Sequence, residues 1–168
     1  MIIKTTQEKM RELASDWIEY SEPMIIELGC SNGNFANLLN NKGIINYTGI
    51  DILSEKIKEA RNRFPHLNFI DCDITTNLYL LKSATTFVSF QCLEHIEDDL
   101  NVISAIPLGA IVIISVPNSL YKKEHKRWFE IEGWIKRFSP FININETVTI
   151  QNITKEKKRS FLFRGLRR

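Results

Sequence analysis

The chain has 168 residues, 43% of them hydrophobic, with 22 Lys or Arg, 20 Asp or Glu and a formal net charge of +2. That length suits one domain able to bury roughly 70% of its unfolded surface, and that apolar content excludes a disordered chain. Three cysteines without close pairing exclude a disulfide framework and point to a reducing compartment. The N-terminus lacks the apolar core of a signal peptide. The most apolar stretch, 106–117, is too short to span a bilayer. A cytoplasmic protein with no membrane partner is expected.

Thr5-x-x-Glu8 is a capping box, and Met10, Leu13, Ala14, Trp17 and Ile18 make a helical stripe behind it. Such a helix either packs beside the core or lids a crevice. The next segment, Ile25-Ile26-Glu27-Leu28-Gly29-Cys30-Ser31-Asn32-Gly33, is an apolar run that ends in an acid and then in two glycines four residues apart. It predicts a strand feeding a tight turn, and glycine lets a backbone turn sharply and approach a ligand closely. A helix follows over 35–41, stopped by Asn40, Asn41 and Gly43. Two further strands, 47–51 and 68–71, end in Asp51 and in Asp71-Cys72-Asp73, with a helix over 55–63 between them. Asp51 lies 18 residues beyond Gly33, near the offset of about 20 at which an acid holds ribose hydroxyls in dinucleotide folds.

Strands at 86–90 and 110–115, with a helix at 98–106, continue the alternation, and helices are expected between all the strands. Alternating strands and helices imply a parallel sheet covered on both faces. Ligands in such sheets sit beyond the carboxyl ends of the strands, where every acid named above falls. The aromatic, charged stretch 122–138 predicts one broad helical face made of Trp128, Phe129, Ile131, Trp134, Ile135 and Phe138. Ile142, Ile144, Val148 and Ile150 then alternate with polar residues, and 160–163 is a last apolar run, so a hairpin turning over 152–157 closes the chain.

The ordered set resembles the class I S-adenosylmethionine-dependent methyltransferases over nearly the whole chain. Glu27-Leu28-Gly29-Cys30-Ser31-Asn32-Gly33 is similar to their first motif, with Ser31 where a middle glycine is usual. Asp51 stands at the place of the ribose-binding acid, and Asp73-Ile74 at the place of the pair that reads the adenine edge. Gln91 to Asp98 is similar to the loop after the fourth strand, and Gly109 to Asn118 to the fifth strand and its exit. The resemblance implies a doubly wound α/β fold, a mostly parallel seven-stranded Rossmann-like sheet with an antiparallel last strand. It organises the chain as one domain: an N-terminal helix (1–20), a cofactor-binding part (21–118) and an acceptor-side helix with a C-terminal hairpin (119–168).

The implied cofactor is S-adenosyl-L-methionine, held by Glu27, Gly29, Cys30, Ser31, Gly33, Asp51, Ile52, Asp73, Ile74 and Gln91. Glu27 would stand near the methionine ammonium, Ile52 on the adenine and Gln91 beside the reactive methyl. His95 and His125 are the candidate catalytic bases for a hydroxyl acceptor, since imidazole titrates near neutrality; His95 reads alternatively as a helix-start histidine held by a neighbouring acid, and His125 as a surface histidine of a charged helix. His66 is expected to be structural. No Cys or His pair stands at metal-ligand spacing, so methyl transfer without a metal is expected.

The acceptor is expected to be a small molecule or glycan-like. Nucleic acid is disfavoured: the Pro-Pro-aromatic loop of methyltransferases acting on exocyclic base amines is replaced by Gln91-Cys92-Leu93-Glu94. From Tyr121 onward 13 Lys or Arg face 5 acids. This basic excess reads either as an anion-recognising surface or as a solvated hairpin end. Two alternatives stay open: a non-catalytic S-adenosylmethionine-binding module, or partner subunit, with the same fold, and a nicotinamide-dependent oxidoreductase. The second is opposed by a turn that reads G-x-x-x-G rather than G-x-G-x-x-G. The sequence also leaves a homo-oligomer open.

Overall fold

The structure, a computed structural model, describes residues 5–18, 23–118, 124–151 and 158–168. Seven strands, β1 (Ile25–Leu28), β2 (Tyr47–Asp51), β3 (Asn68–Asp71), β4 (Thr86–Phe90), β5 (Ile111–Pro117), β6 (Ile142–Gln151) and β7 (Arg159–Arg167), form one sheet in the order β3-β2-β1-β4-β5-β7-β6. The first five run parallel, and β7 runs antiparallel to both of its neighbours. The expected fold class is therefore found. The order reverses between β1 and β4, and it is beyond such a switch point that α/β sheets open a crevice.

The helices are α1 (Thr6–Asp16), α2 (Asn34–Asn41), α3 (Ser54–Arg63), α4 (Asp99–Ser104) and α5 (Ile131–Phe138). α1 begins in the expected capping box: the Glu8 amide donates to Thr5 Oγ1 at 3.2 Å and the Thr5 amide to Glu8 Oε2 at 2.6 Å, worth about 1 kcal/mol. Its stripe packs on α2 and β6, so it covers the core and does not lid the crevice.

Strand alternation sorts the apolar side chains onto two faces. Ile25, Tyr47, Val88 and Ile113 pack with Phe35, Leu39 and Ile57 under α1–α3. Ile26, Ile50, Phe87 and Ile114 pack with Ile103, Trp134 and Phe138 under α4 and α5. Because both faces are covered, β1 and β4 are buried at every position, which is why neither alternates apolar with polar residues. Phe161 and Phe163 belong to this core and do not form a stacking surface.

Two expected helices are corrected. Between β3 and β4 the chain makes two short 3-10 turns, Ile74–Thr76 and Leu78–Ser83. The Asp73 carboxylate accepts from the Thr75 amide and hydroxyl at 2.8 and 2.7 Å, and Asn77 Nδ2 donates to the Asp73 carbonyl at 2.8 Å; such local bonds compete with an α-helix. The helix expected over 122–138 is reduced to Ile131–Phe138. Upstream, the Lys126 amide donates to the Glu94 carbonyl at 2.7 Å, and that pairing across the fold holds the backbone out of the helix. Trp128 is consequently left 44% exposed, whereas Trp134 is fully buried, its Nε1 donating to the Pro117 carbonyl at 3.0 Å. The expected hairpin strands are found; the turn at 152–157 lies outside the described residues, as do Lys122 and Lys123. Among the described residues no helix is long and apolar enough to cross a membrane.

Candidate functional site

A cleft of about 1020 Å³ opens beyond the carboxyl ends of β1–β4. Of the residues singled out in the sequence, Gly29, Asp51, Ile52, Asp73, Ile74, Gln91 and His95 line it. Glu27, Cys30, Ser31 and Gly33 do not line it, and neither does His125.

The turn after β1 is tightly specified. Gly29 has φ +76°, and a Cβ there would meet Cys92 Cβ and Sγ at 2.8 Å. Its amide donates to the Ile50 carbonyl at 2.8 Å, extending the β1–β2 ladder into the turn. Ser31, at φ +49°, points its amide at Asp51 Oδ2, 2.8 Å away, while the Leu53 amide donates to Oδ1 at 2.9 Å. Asp51 is thus fixed through both oxygens, one amide to each, which leaves lone pairs for hydroxyl donors. Beside it, Ile52 and Leu53 are 62% and 57% exposed on the cleft wall. At Asp73 both side-chain bonds fall on Oδ1, and no hydrogen bond from a described residue reaches Oδ2.

Glu27 lies behind this turn, inside the sheet. It is 2% exposed and accepts a short hydrogen bond from the Tyr47 hydroxyl. Burial pushes its carboxyl up to about 7, against the opposing effect of the Tyr47 bond. The thiols of Cys30, Cys72 and Cys92 are all raised, chiefly by burial, so thiolate chemistry is disfavoured at each.

The opposite wall follows β4. Gln91 adopts φ +51°, with its amide on the Ser115 carbonyl at 3.0 Å. The 3-10 turn Leu93–His95 then carries the buried Glu94 and the partly exposed His95. The His125 ring meets the His95 ring edge to face, with centroids 4.6 Å apart. Glu94, His95 and His125 each offer a donor atom within 4.8 Å of the others. No sequence spacing signalled this cluster, because thirty residues separate His95 from His125.

A second feature missed by sequence reasoning braces that wall. Asp99, 0% exposed, accepts from Arg137 Nε and Nη2 at 3.0 and 2.5 Å and pairs with Arg127 Nη1 at 3.3 Å. Arg127 also donates to the carbonyls of Leu93, Ile96 and Glu97 at 3.3, 2.6 and 2.6 Å. Several C-terminal basic residues are spent in the same way. Arg159 pairs with Glu130 at 2.9 Å and Arg164 with Glu146 at 3.2 Å, while Arg167 donates to the carbonyls of Ile103 and Ser104 at the end of α4 at 2.9 and 3.0 Å. These arginines knit the sheet edge to the helices. His66 shares a 2.9 Å hydrogen bond with Asn40 at the other end of the strands.

Residues 25–106 match the family model described as a methyltransferase domain. A trans-aconitate 2-methyltransferase of Rhodopseudomonas palustris strain BisA53 is 24% identical over 143 residues, covering 81% of this chain and 56% of that protein. The chain thus spans little more than half the length of that relative. Among solved structures, the [4+2]-cyclase SpnF superposes with a TM-score of 0.80 at 10% identity, covering 95% of this chain and 80% of that one. Magnesium protoporphyrin IX methyltransferase of Synechocystis PCC 6803 with bound SAH gives 0.76 at 15%, covering 97% and 84%. By fold and by the motifs that follow its first four strands, the chain is similar to the class I S-adenosylmethionine-dependent methyltransferases, and the methyltransferase-domain match covers just under half of it.

Proposed function

We propose that the chain binds S-adenosylmethionine in this cleft and transfers its methyl group to a small-molecule or glycan-like acceptor by direct in-line displacement. The observation that carries the reading is Asp51, fixed by the Ser31 and Leu53 amides against a glycine turn that tolerates no side chain, with Ile52 exposed beside it. That arrangement fits a ribose diol next to a flat apolar base. Asp51 takes the hydroxyls, Ile52 packs on the adenine, and Asp73 Oδ2 with the Ile74 backbone takes the adenine edge. Gly29 lets the backbone close on the methionine portion, while Cys30, Ser31 and Gly33 shape the turn from behind. Glu27 acts from behind as well, and a cationic ligand at the turn favours its ionised form.

S-adenosylmethionine, when bound, supplies a methyl group already activated by its sulfonium: the acceptor's bond to carbon forms as the carbon–sulfur bond breaks, and the electron pair leaves on sulfur. The protein's part is therefore alignment and exclusion of water, and alignment can contribute about 7–11 kcal/mol. Gln91 borders the cleft where the methyl would lie, and His95 and His125 stand at the acceptor end, where a hydroxyl acceptor must lose its proton. The relatives named for trans-aconitate, a small organic acid, support a small-molecule acceptor.

A second reading, a cofactor-binding module without transfer, is favoured by the short chain between β5 and α5, which leaves little room for an acceptor-binding cap. Incubation with labelled methyl donor and a panel of small acids, phenols and glycans separates the two. Label transfer to any of them supports the enzyme. Tight binding of S-adenosylhomocysteine with no transfer across the panel supports the module.

A further inference from the structure

Glu94, His95 and His125 come from two loops and meet at one point beside the cleft. The meeting is imposed by backbone. The Lys126 amide is fixed on the Glu94 carbonyl at 2.7 Å, and Arg127 clamps the carbonyls on either side of that turn. Glu94 has a buried carboxylate, His95 is 31% exposed and lines the cleft, and His95 Nε2 stands 4.0 Å from Glu94 Oε1, beyond hydrogen-bond reach. Two imidazoles and one carboxylate, with His95 lining the cleft, are a donor set of the kind that takes a divalent first-row metal. With metal–donor distances of about 2.1 Å, donors on one tetrahedral ion stand about 3.4 Å apart. The present donor atoms all lie within 4.8 Å of one another, so an ion would have to draw them closer by side-chain rotation.

We propose that Glu94, His95 and His125 form a divalent-metal site at the side of the cleft that His95 lines. The imidazoles are then ligands rather than free bases, which replaces the expectation of a metal-independent transfer. An extension rests on the methyl-transfer reading: an ion held by Glu94, His95 and His125 would act as a Lewis acid, easing loss of an acceptor hydroxyl's proton to water before its oxygen takes the methyl group from sulfur.

The site is tested on the full chain after chelation, by titrating Co²⁺ with visible absorption and Zn²⁺ with calorimetry. One ion per chain is expected, with affinity at least tenfold weaker in His95→Ala, His125→Ala and Glu94→Gln and unchanged in His66→Ala. Glu94 is buried, so circular dichroism checks that Glu94→Gln folds; if it does not, the two histidine variants decide. No uptake by the wild type, or uptake unaltered in both histidine variants, overturns the site. Calorimetry with S-adenosylhomocysteine keeps the two ideas apart. His125→Ala should lose the metal and keep the nucleoside, whereas a wild type that binds metal but no nucleoside sinks the methyl-transfer reading and leaves the metal site standing.

Discussion

In the cleft wall behind β1, β2 and β3 the carboxylate of Asp51 is held by backbone amides, whereas in the wall behind β4 arginine side chains reaching across the fold brace a loop that backbone bonds also tie down. On the first, Gly29 and Cys30 continue the sheet ladder and Asp51 is gripped by two amides within a few residues of a strand end. On the second, Arg127 and Arg137 converge on Asp99 from 28 and 38 residues away, and Arg127 clamps three carbonyls. A wall made of backbone turns presents one fixed geometry, which suits an invariant ligand. A wall made of long side chains can be re-cut by changing a few residues, which suits an acceptor that varies among proteins sharing a fold. SpnF, a [4+2]-cyclase with this architecture, makes the same point: the fold leaves the reaction open.

Breaking the second wall should have the largest effect. Asp99→Ala leaves two partly buried guanidinium groups without their carboxylate, and removing one partner of a buried ion pair costs about 3–5 kcal/mol. Urea denaturation should show that loss, and a loss below about 1 kcal/mol would mean that the brace is ornamental.

The first wall hides a proton. Because the Glu27 carboxyl is raised from 4.5 to about 7, the folded chain holds a proton there that the unfolded chain has released. Between pH 4.5 and 7 the folded state therefore binds more protons, and stability falls as pH rises, by about 3 kcal/mol for a shift of this size. Glu27→Gln should remove that slope, so the variant gains on the wild type at pH 8 and matches it near pH 4. Parallel slopes for the two proteins in denaturation across this range would contradict the assignment.

A smaller effect is expected at the turn itself. Gly29→Ala forces a side chain into a left-handed conformation against Cys92 and should cost about 1–2 kcal/mol. Its loss of S-adenosylhomocysteine affinity should exceed that of Asp99→Ala, if the two walls divide the work as argued. The reverse order would merge them.

The same division explains what the sequence disclosed. Strand bounds, the glycine turn and Asp51 were legible because each is local: an apolar run, a turn and a helix follow one another within about ten residues. The 3-10 turns after Asp73 were not, because side-chain bonds of Asp73 and Asn77 compete with a helix that spacing alone permits. The helix expected over 122–138 failed for a complementary reason, since Lys126 pairs its backbone with a loop 32 residues away. The Glu94–His95–His125 cluster, brought together beside that pairing, and the Asp99 brace join residues about thirty or more positions apart and carry no periodic signal. Nor did the count of basic residues reveal that Arg159, Arg164 and Arg167 are spent on acids and helix-end carbonyls.

The central claim is that Asp51, at the end of β2, holds a nucleoside. Isothermal calorimetry with S-adenosylhomocysteine on the wild type and on Asp51→Ala tests it most directly, with a thermal melt confirming that the variant folds. Wild-type binding and at least a tenfold loss in the variant are expected, since removing an acceptor for hydroxyl donors costs about 1.5–3 kcal/mol. Equal affinities in the two proteins would contradict the account.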